Sequence, residues 1–135
     1  PKSLARYKSI PEGGNRWDMP RRLQPECWIK KTKGGTDLMG RLWWDRPAFT
    51  IRTEFFKPEK GRYLHPSEDR PITHWEAARI QTFPDSFQFL GPKIAVARQI
   101  GNAVPVVLAK AIAEAVLALL VGAEAQIDRI PIGAA

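Results

Sequence analysis

The chain has 135 residues, which is enough for one ordinary domain with a hydrophobic core of modest size. Apolar residues make up 44% of the chain and charged residues 26%, as is normal for a globular protein and unlike a disordered chain. The net charge is +7, and the whole excess lies in residues 1–64, where 15 Lys and Arg face 7 Asp and Glu; this indicates either a nucleic-acid partner or a solvated basic surface without one.

The first half of the chain reads as loops and short strands. Residues 1–40 are rich in glycine, proline and charged residues, which predicts irregular structure, and their interspersed aromatic residues indicate that it is ordered. Residues 41–57 alternate apolar and polar positions, and their Thr, Ile, Phe and Trp content predicts two short strands with Pro47 between them or on an edge. Residues 58–72 return to turn formers.

A helix is predicted to begin near Thr73. Thr73 and Glu76 have the spacing of a capping box, in which each side chain accepts a hydrogen bond from the backbone of the other residue. The helix should run to about Thr82 and stop before Pro84, because the residue before a proline avoids helical geometry. One face of it carries Ala77, Ile80 and Gln81.

Two further helices are predicted after this one. A short helix should run from residue 93 to residue 100 and be broken by Gly101 and Asn102. A long helix should begin at Pro105, where the missing N–H costs nothing, and end near Gly122. We expect a loose tail in residues 123–135.

The long helix is apolar on every side. From residue 106 to residue 121 nearly every position is Val, Leu, Ile or Ala, which is typical of a buried helix. The apolar run from residue 104 to residue 121 carries two charged residues, Lys110 and Glu114, near its middle. It is also slightly short for a bilayer, so we expect no membrane partner. The rest of so small a chain can hardly cover all faces of this helix, which predicts a missing partner surface.

Few residues suit a disulfide or a metal ion. Cys27 is the single cysteine, which excludes an internal disulfide and favours a reduced, cytoplasmic location. His65 and His74 are isolated from any Cys or carboxylate pattern, so we expect structural histidines and no metal site.

Two motifs in the second half resemble one enzyme family. Residues 70–87 read RPITHWEAARIQTFPDSF and closely resemble motif IX of the cytosine-5 DNA methyltransferases. Residues 99–105 read QIGNAVP and resemble motif X of the same family, in the family's order and spacing. In motif IX, Trp75 stands where many members carry Arg. Two long motifs in the right order are far more specific than a lone glycine pattern.

The upstream half is similar to the target-recognition region of bacterial members of that family. Thr50 and Ile51 occupy the place of a short Thr-Leu signature, with Ile in place of Leu. The resemblance extends over roughly residues 3–118. It is carried upstream by residues 10–15, 40–45, 47–51 and 61–66.

The resemblance implies a methyltransferase part without its own catalytic residues. The family attacks the base with the cysteine of a Pro-Cys loop, holds the base with a Glu-Asn-Val segment, and binds S-adenosylmethionine partly through a Gly-rich loop. The sequence has none of these, and Cys27 lies in Pro-Glu-Cys-Trp. An attacking cysteine needs a lowered pKa and a positioned neighbour, so we predict a structural Cys27 and no catalytic residue.

Site residues are carried over by their positions in the motifs. Motif X implies that Gly101, Asn102 and Ala103 line a cofactor pocket for S-adenosylmethionine that is shared with a missing catalytic domain; the alternative is a simple break between helices. The recognition region implies DNA contacts, which we assign to Thr50, Arg52, Thr53, Arg41 and Arg62, with Arg46 and Lys60 as further phosphate candidates. Strand propensity and a solvated surface are the alternatives for these residues.

Two tryptophans in the recognition region and three charged residues near motif IX have more local interpretations. Trp43 and Trp44 have the chemistry to stack on an extruded base, but we expect one to pack in the core and the other on a rim. The three charged residues should hold the recognition region to motif IX, since buried charges must be paired. They are Arg70, Glu76 and Arg79.

We therefore expect an α+β fold: a small, irregular, β-containing recognition lobe in residues 1–72, then helices in residues 73–122 that pack on a Rossmann-like domain absent from this chain. The expected function is the DNA-recognition and cofactor-completing part of a cytosine-5 DNA methyltransferase of a restriction-modification type. This part is an excised C-terminal piece or the small subunit of a split enzyme, inactive until it joins a catalytic chain on double-stranded DNA. One alternative is a stand-alone, non-catalytic DNA-binding module. Another is a gene remnant, against which the intact motifs argue.

Overall fold

The computed structural model of the chain describes residues 2–30 and 33–127. The described residues form helices and a two-stranded parallel sheet, which is consistent with the expected α+β fold. Residues up to Ala103 form one compact unit, and those from Val104 onward form a second. The helices are α1 (Lys2–Lys8), α2 (Glu26–Ile29), α3 (His74–Ile80), α4 (Lys93–Asn102) and α5 (Val106–Ile127); the strands are β1 (Gly40–Arg41) and β2 (Arg62–Leu64); and short 3-10 helices span Arg21–Leu23 and Pro58–Lys60.

The irregular N-terminal region is ordered around a small core of its own. Ile10, Met19, Met39 and Leu64 are almost completely buried there. Partly buried aromatic and aliphatic side chains close this core. Within residues 2–30 and 33–40, the prediction of loops that are irregular but ordered is therefore confirmed, because apolar side chains spaced through the loops give them a shared interior.

A second, larger core joins the recognition region to the helices of motifs IX and X. Leu42 and Phe55 from the recognition region pack with Ala77 of α3 and with Ala97 and Ile100 of α4. This core spans the boundary that we predict at residue 72. Its members are Leu42, Ile51, Phe55, Tyr63, Ile72, Ala77, Ala78, Ala97 and Ile100.

The strand prediction for residues 41–57 is mostly wrong. Only Gly40–Arg41 forms a strand there, and it pairs in parallel with Arg62–Leu64, a segment for which turns are predicted. Residues 53–56 form a turn, in which the Phe55 N–H donates to the Arg52 carbonyl at 3.1 Å. Ile51 and Phe55 are both buried, and the turn brings these two side chains, four positions apart, into one core. Tertiary burial has overridden local strand propensity.

The helix α3 confirms the capping-box prediction. The Thr73 hydroxyl accepts from the Glu76 N–H at 3.1 Å, and the Glu76 carboxylate accepts from the Thr73 N–H at 2.7 Å. Ala77 and Gln81 are buried on one side of this segment, as the periodicity predicts. The helix ends at Ile80, before the proline that the sequence sets as its limit.

The predicted ends of α4 and α5 need correction. Gly101 and Asn102 form the last two residues of α4 and do not break it, and the chain leaves the helix at Ala103. The helix α5 continues past Gly122 to Ile127. A helical glycine costs only about 1 kcal/mol relative to alanine, and the good helix formers that follow Gly122 offset this cost. Residues 128–135 of the predicted loose tail lie outside the described residues.

The helix α5 carries apolar side chains on its solvent-accessible surface. Leu117 is 61% exposed and Leu119 is 74% exposed. The span Lys93–Gly122 has the length and composition of a membrane-crossing segment, with a mean hydropathy of 2.3 over its 18-residue window. Core helices of soluble proteins share this length and composition.

Candidate nucleic-acid and cofactor sites

Residues 50–53, which we call the recognition segment, lie between β1 and β2 along the chain. Ile51 is only 3% exposed and anchors the segment in the larger core. Thr50 and Arg52 on either side of it are exposed. Thr53 is half-buried where the following turn begins. The fold therefore presents two of the predicted DNA-contacting side chains to solvent from a fixed backbone.

A buried tyrosine fixes one end of the recognition segment. The Tyr63 hydroxyl donates to the Thr50 carbonyl at 3.1 Å, and the side chain is only 2% exposed. Burial raises the pKa of the Tyr63 hydroxyl above its ordinary value, which lies well above neutral pH already, so the group is a hydrogen-bond donor. A single tyrosine in a run of turn residues carries no local signal for this contact, and the sequence does not predict it.

A close backbone contact holds the other end. A methyl group built on Gly101 would lie 2.5 Å from the Arg52 carbonyl carbon and 2.6 Å from the Thr53 Cα, and it would also collide with the Thr53 nitrogen. The last turn of α4 therefore lies directly against the recognition segment. The sequence predicts that Gly101 allows close approach of a cofactor, whereas the observed close neighbour is the chain itself.

The recognition segment borders a cleft of about 260 Å³. Thr50, Arg52, Lys60 and Arg62 all line it. Asp37 adds a carboxylate, and apolar and aromatic side chains complete the lining. The fold thus brings together four of the residues that the sequence assigns to DNA contacts, although they come from segments up to twelve positions apart.

Arg41 and Arg62 are nevertheless mainly structural, which corrects their prediction as DNA contacts. Arg41 is 4% exposed, and its guanidinium donates to several backbone carbonyls and to Asp69 at 3.0 Å. Arg62 is 5% exposed, and its Nη1 donates to the carbonyls of Gly13, Gly14 and Arg41. Donors that already satisfy internal carbonyls are not available to phosphates. We leave both residues out of the candidate interface.

The predicted cofactor residues lie at the end of α4. Asn102 is exposed, and Ala103 is half-buried with its carbonyl accepting from the Gln81 side chain at 3.2 Å. The same Gln81 amide donates to the Ile100 carbonyl at 2.9 Å. The Ile100 carbonyl also accepts from the Ala103 N–H, so Gln81 adds a side-chain bond that ties this helix end to the residue following α3. The sequence places Gln81 on the buried face of α3 but carries no signal for this function.

Neither tryptophan of the pair at 43–44 lies in a core cluster among the described residues. Trp43 is half-buried, and the Arg62 guanidinium lies 4.3 Å from its ring centre. Trp44 is 67% exposed, and its indole N–H donates to the Ser67 hydroxyl at 2.7 Å. Both line a second cavity of about 510 Å³ with Arg46. The expected core position is therefore wrong, while the rim position is confirmed for Trp44.

The charged residues of motif IX separate into two ion pairs. Arg70 forms two 2.8 Å hydrogen bonds with Glu76, which ties the end of the recognition region to α3 as predicted. Arg79 instead pairs with Asp85 inside the motif, at 2.6 Å and 2.8 Å. Arg79 also lies over the ring of Trp75, at 5.6 Å from its centre.

Both histidines make local contacts. The His65 Nδ1 accepts from the backbone N–H groups of Ser67 and Glu68, and the His74 Nε2 lies 3.0 Å from the Lys93 carbonyl. Within residues 2–30 and 33–127, no group of three or more potential metal ligands is found. Cys27 is exposed on α2, with no described pairing to another sulfur.

Comparisons with known proteins identify the family. The sequence-family model of the C-5 cytosine-specific DNA methylases matches residues 12–118 of this chain. The chain is 44% identical over 114 residues to the type II methyltransferase M.PspPI of Psychrobacter sp. (strain TA137), covering 82% of this chain and 27% of the relative. It is 43% identical over 124 residues to M.Eco47II of Escherichia coli, covering 89% and 30%. It is also 41% identical over 108 residues to the DNA (cytosine-5)-methyltransferase CMT1 of Oryza sativa subsp. japonica, covering 79% and 10%. The chain thus spans less than a third of these relatives, and it belongs to the C-5 cytosine-specific DNA methylase family.

Proposed function

We propose that this chain is the DNA-recognition and cofactor-pocket-completing part of a DNA (cytosine-5-)-methyltransferase. The observation that carries the proposal is the juxtaposition at Gly101, where the motif X helix end meets the recognition segment. A methyltransferase must hold its DNA and its methyl donor close together, and this contact joins the two predicted sites in one compact unit. The family membership supplies the reaction class.

The DNA-contacting surface of this proposal is the cleft beside the recognition segment. Thr50 offers an exposed hydroxyl, and Arg52 and Lys60 offer exposed cationic donors. Hydroxyl and guanidinium donors suit phosphate oxygens, and an arginine fork also suits a guanine edge. The excess of positive charge in the first half of the chain would attract the duplex to the same surface.

The cofactor in this proposal is S-adenosylmethionine, which supplies the methyl group when bound. The exposed Asn102 would hold it through the side-chain amide, and Ala103 would approach it through the backbone. The Gln81 bonds to the Ile100 and Ala103 carbonyls fix the helix end in the position from which Asn102 would act. The remainder of the pocket would come from the catalytic chain.

The partner in this proposal is a catalytic methyltransferase chain or domain that carries the Pro-Cys loop. The apolar side chains exposed on α5 would supply an interface of the kind found in obligate complexes. Burial of these side chains on a partner would also reconcile the apolar composition of α5 with a cytoplasmic location. The chain would be inactive alone, as a natural small subunit or as the C-terminal part of one polypeptide.

Complementation tests this function. The chain is mixed with the part of the Escherichia coli relative that lies outside the 124 matched residues, and in parallel it replaces those residues in a fusion. Methyl transfer from S-adenosylmethionine to mixed-sequence duplex DNA should occur only in the mixture or the fusion. In the active form, Asn102→Ala should raise the KM for S-adenosylmethionine more than the KM for DNA. Inactivity of both forms would contradict the proposal.

A non-catalytic DNA-binding module is the second candidate. It is favoured by the observation that the recognition segment and both motifs share a core within one compact unit. This function requires the chain alone to bind duplex DNA tightly and with strong salt dependence, and to bury α5 in a homodimer. DNA binding by the isolated chain, together with failure of every complementation, would establish this candidate.

A further inference from the structure

We infer that Gly101 is a positioning residue for DNA recognition, and that its principal effect is on DNA and not on the cofactor. This inference rests on the proposed function and deepens it. It assigns to Gly101, a residue of motif X, a function at the DNA-contacting site. The contact between Gly101 and the recognition segment is its basis.

A Cβ on Gly101 would lie 2.5 Å from the Arg52 carbonyl carbon and 2.6 Å from the Thr53 Cα, and both of these atoms belong to the backbone. A side chain could rotate away from a new methyl group, but backbone atoms can move only if the segment moves. Relief of the overlap therefore requires the recognition segment to shift by roughly half an ångström or more, since packed interiors leave no free space.

The recognition segment cannot move away from Gly101 as a whole. The Thr50 carbonyl is bound to the Tyr63 hydroxyl, and Ile51 is anchored in the core. The Phe55 N–H closes the following turn on the Arg52 carbonyl. With these points held, a push on Arg52 and Thr53 must change the local backbone and reorient the exposed Arg52 side chain.

The end of α4 is held independently of the recognition segment. The carbonyls of Ile100 in the last turn and of Ala103 just after the helix accept from Gln81, which is 7% exposed and follows α3 directly. These bonds hold the end of α4 while Arg52 and Thr53 adjust. Asn102 should therefore keep its place when Gly101 gains a methyl group.

The test compares Gly101→Ala with Arg98→Ala in the complemented methyltransferase. Arg98 is a control on the same helix, because its side chain is exposed and does not line the cleft. Gly101→Ala should raise the KM for DNA about tenfold or more, since misplacement by a fraction of an ångström already weakens oriented contacts. The KM for S-adenosylmethionine should stay within about twofold, and Arg98→Ala should match the unmodified chain in both constants.

Other kinetic outcomes overturn the inference. A rise in the KM for S-adenosylmethionine alone would mean that Gly101 acts at the cofactor. Unchanged KM values for both substrates would mean that the contact does not affect function. If the unmodified chain neither complements nor binds DNA, the proposed function and this inference fail together. If the unmodified chain is active and Gly101→Ala has the same KM values, only the inference fails.

Hydrogen exchange on the unmodified full chain provides a measurement that does not depend on whether the variant folds. If the contact with α4 keeps the recognition segment closed, the Phe55 amide, which is bound to the Arg52 carbonyl, should exchange as slowly as the amides of the last turn of α4. Exchange of this amide at the rate of an open loop would overturn the inference.

Discussion

Arg70 and Glu76 form a two-pronged ion pair, with both Nη atoms donating to the carboxylate at 2.8 Å. The same carboxylate accepts from the Thr73 N–H at 2.7 Å and so caps α3. One side chain therefore satisfies the helix start and connects it to the segment that leaves β2. The recognition region and the motif IX helix keep a fixed relative orientation because of this double use.

This arrangement predicts a pH dependence of stability. The Arg70 hydrogen bonds, aided by the Thr73 backbone, lower the pKa of Glu76 from 4.5 to about 2. A lowered folded-state pKa stabilises the protein above pH 4.5, and the stabilisation is lost as the pH falls towards 2. Because Glu76 is 31% exposed and water screens the pair, we expect about 1–2 kcal/mol.

Urea unfolding at pH 7 and pH 3 measures this contribution. The free energy of unfolding of the unmodified chain should fall more between the two pH values than that of Glu76→Gln, which lacks the titrating group. Glu26→Gln, on the exposed first turn of α2, should behave like the unmodified chain. Parallel pH profiles for Glu76→Gln and the unmodified chain would contradict the prediction.

Arg41→Ala should destabilise the fold severely. The substitution removes the donors that satisfy carbonyls from several separate loops and leaves Asp69 without its partner. Breaking a buried charged network of this kind costs about 3–5 kcal/mol. Arg46→Ala, at an exposed position, should change the free energy of unfolding by about 0.5 kcal/mol or less. Equal unfolding midpoints for the two variants would show that the Arg41 network does not stabilise the fold more than an exposed arginine does.

Tyr63→Phe should weaken DNA use more than stability. The substitution keeps the ring in the core but removes the hydroxyl that fixes the Thr50 carbonyl. Loss of one such hydrogen bond costs about 1 kcal/mol of stability, and the freed segment should raise the KM for DNA about three- to tenfold. Tyr7→Phe removes a hydroxyl outside the cleft and serves as the matched control. An unchanged KM for DNA in Tyr63→Phe would remove Tyr63 from the interface.

Arg52→Ala should reduce the salt dependence of DNA binding. If Arg52 neutralises one phosphate, the slope of log K against log salt concentration should decrease in magnitude by about 1. Arg98→Ala, an exposed arginine on α4 that does not line the cleft, should leave the slope unchanged. Binding titrations of the complemented enzyme at several salt concentrations make this comparison. A slope that changes equally in both variants would indicate non-local electrostatics in place of a direct contact.

Elements with strong local signals were predictable from the sequence. The capping box at Thr73 and Glu76 and the face that buries Ala77 were expected from spacing alone and are observed. In contrast, the strand prediction around Ile51 and Phe55 failed, because their burial in one core depends on contacts with α3 and α4. Periodicity reports local preference, and it contains no information about which distant surface a segment meets.

The sequence by itself determined the family and the basic charge of the first half. Its motifs also determined which residues are expected at a cofactor pocket and at the DNA. The tertiary structure alone decided that Arg41 and Arg62 satisfy buried carbonyls, and that Gly101 lies against Arg52 and Thr53. An arginine reads as a positive charge wherever it occurs, but its function depends on whether backbone carbonyls or solvent surround it. A glycine likewise marks a place where no side chain fits, and only the folded chain identifies the atoms that exclude one.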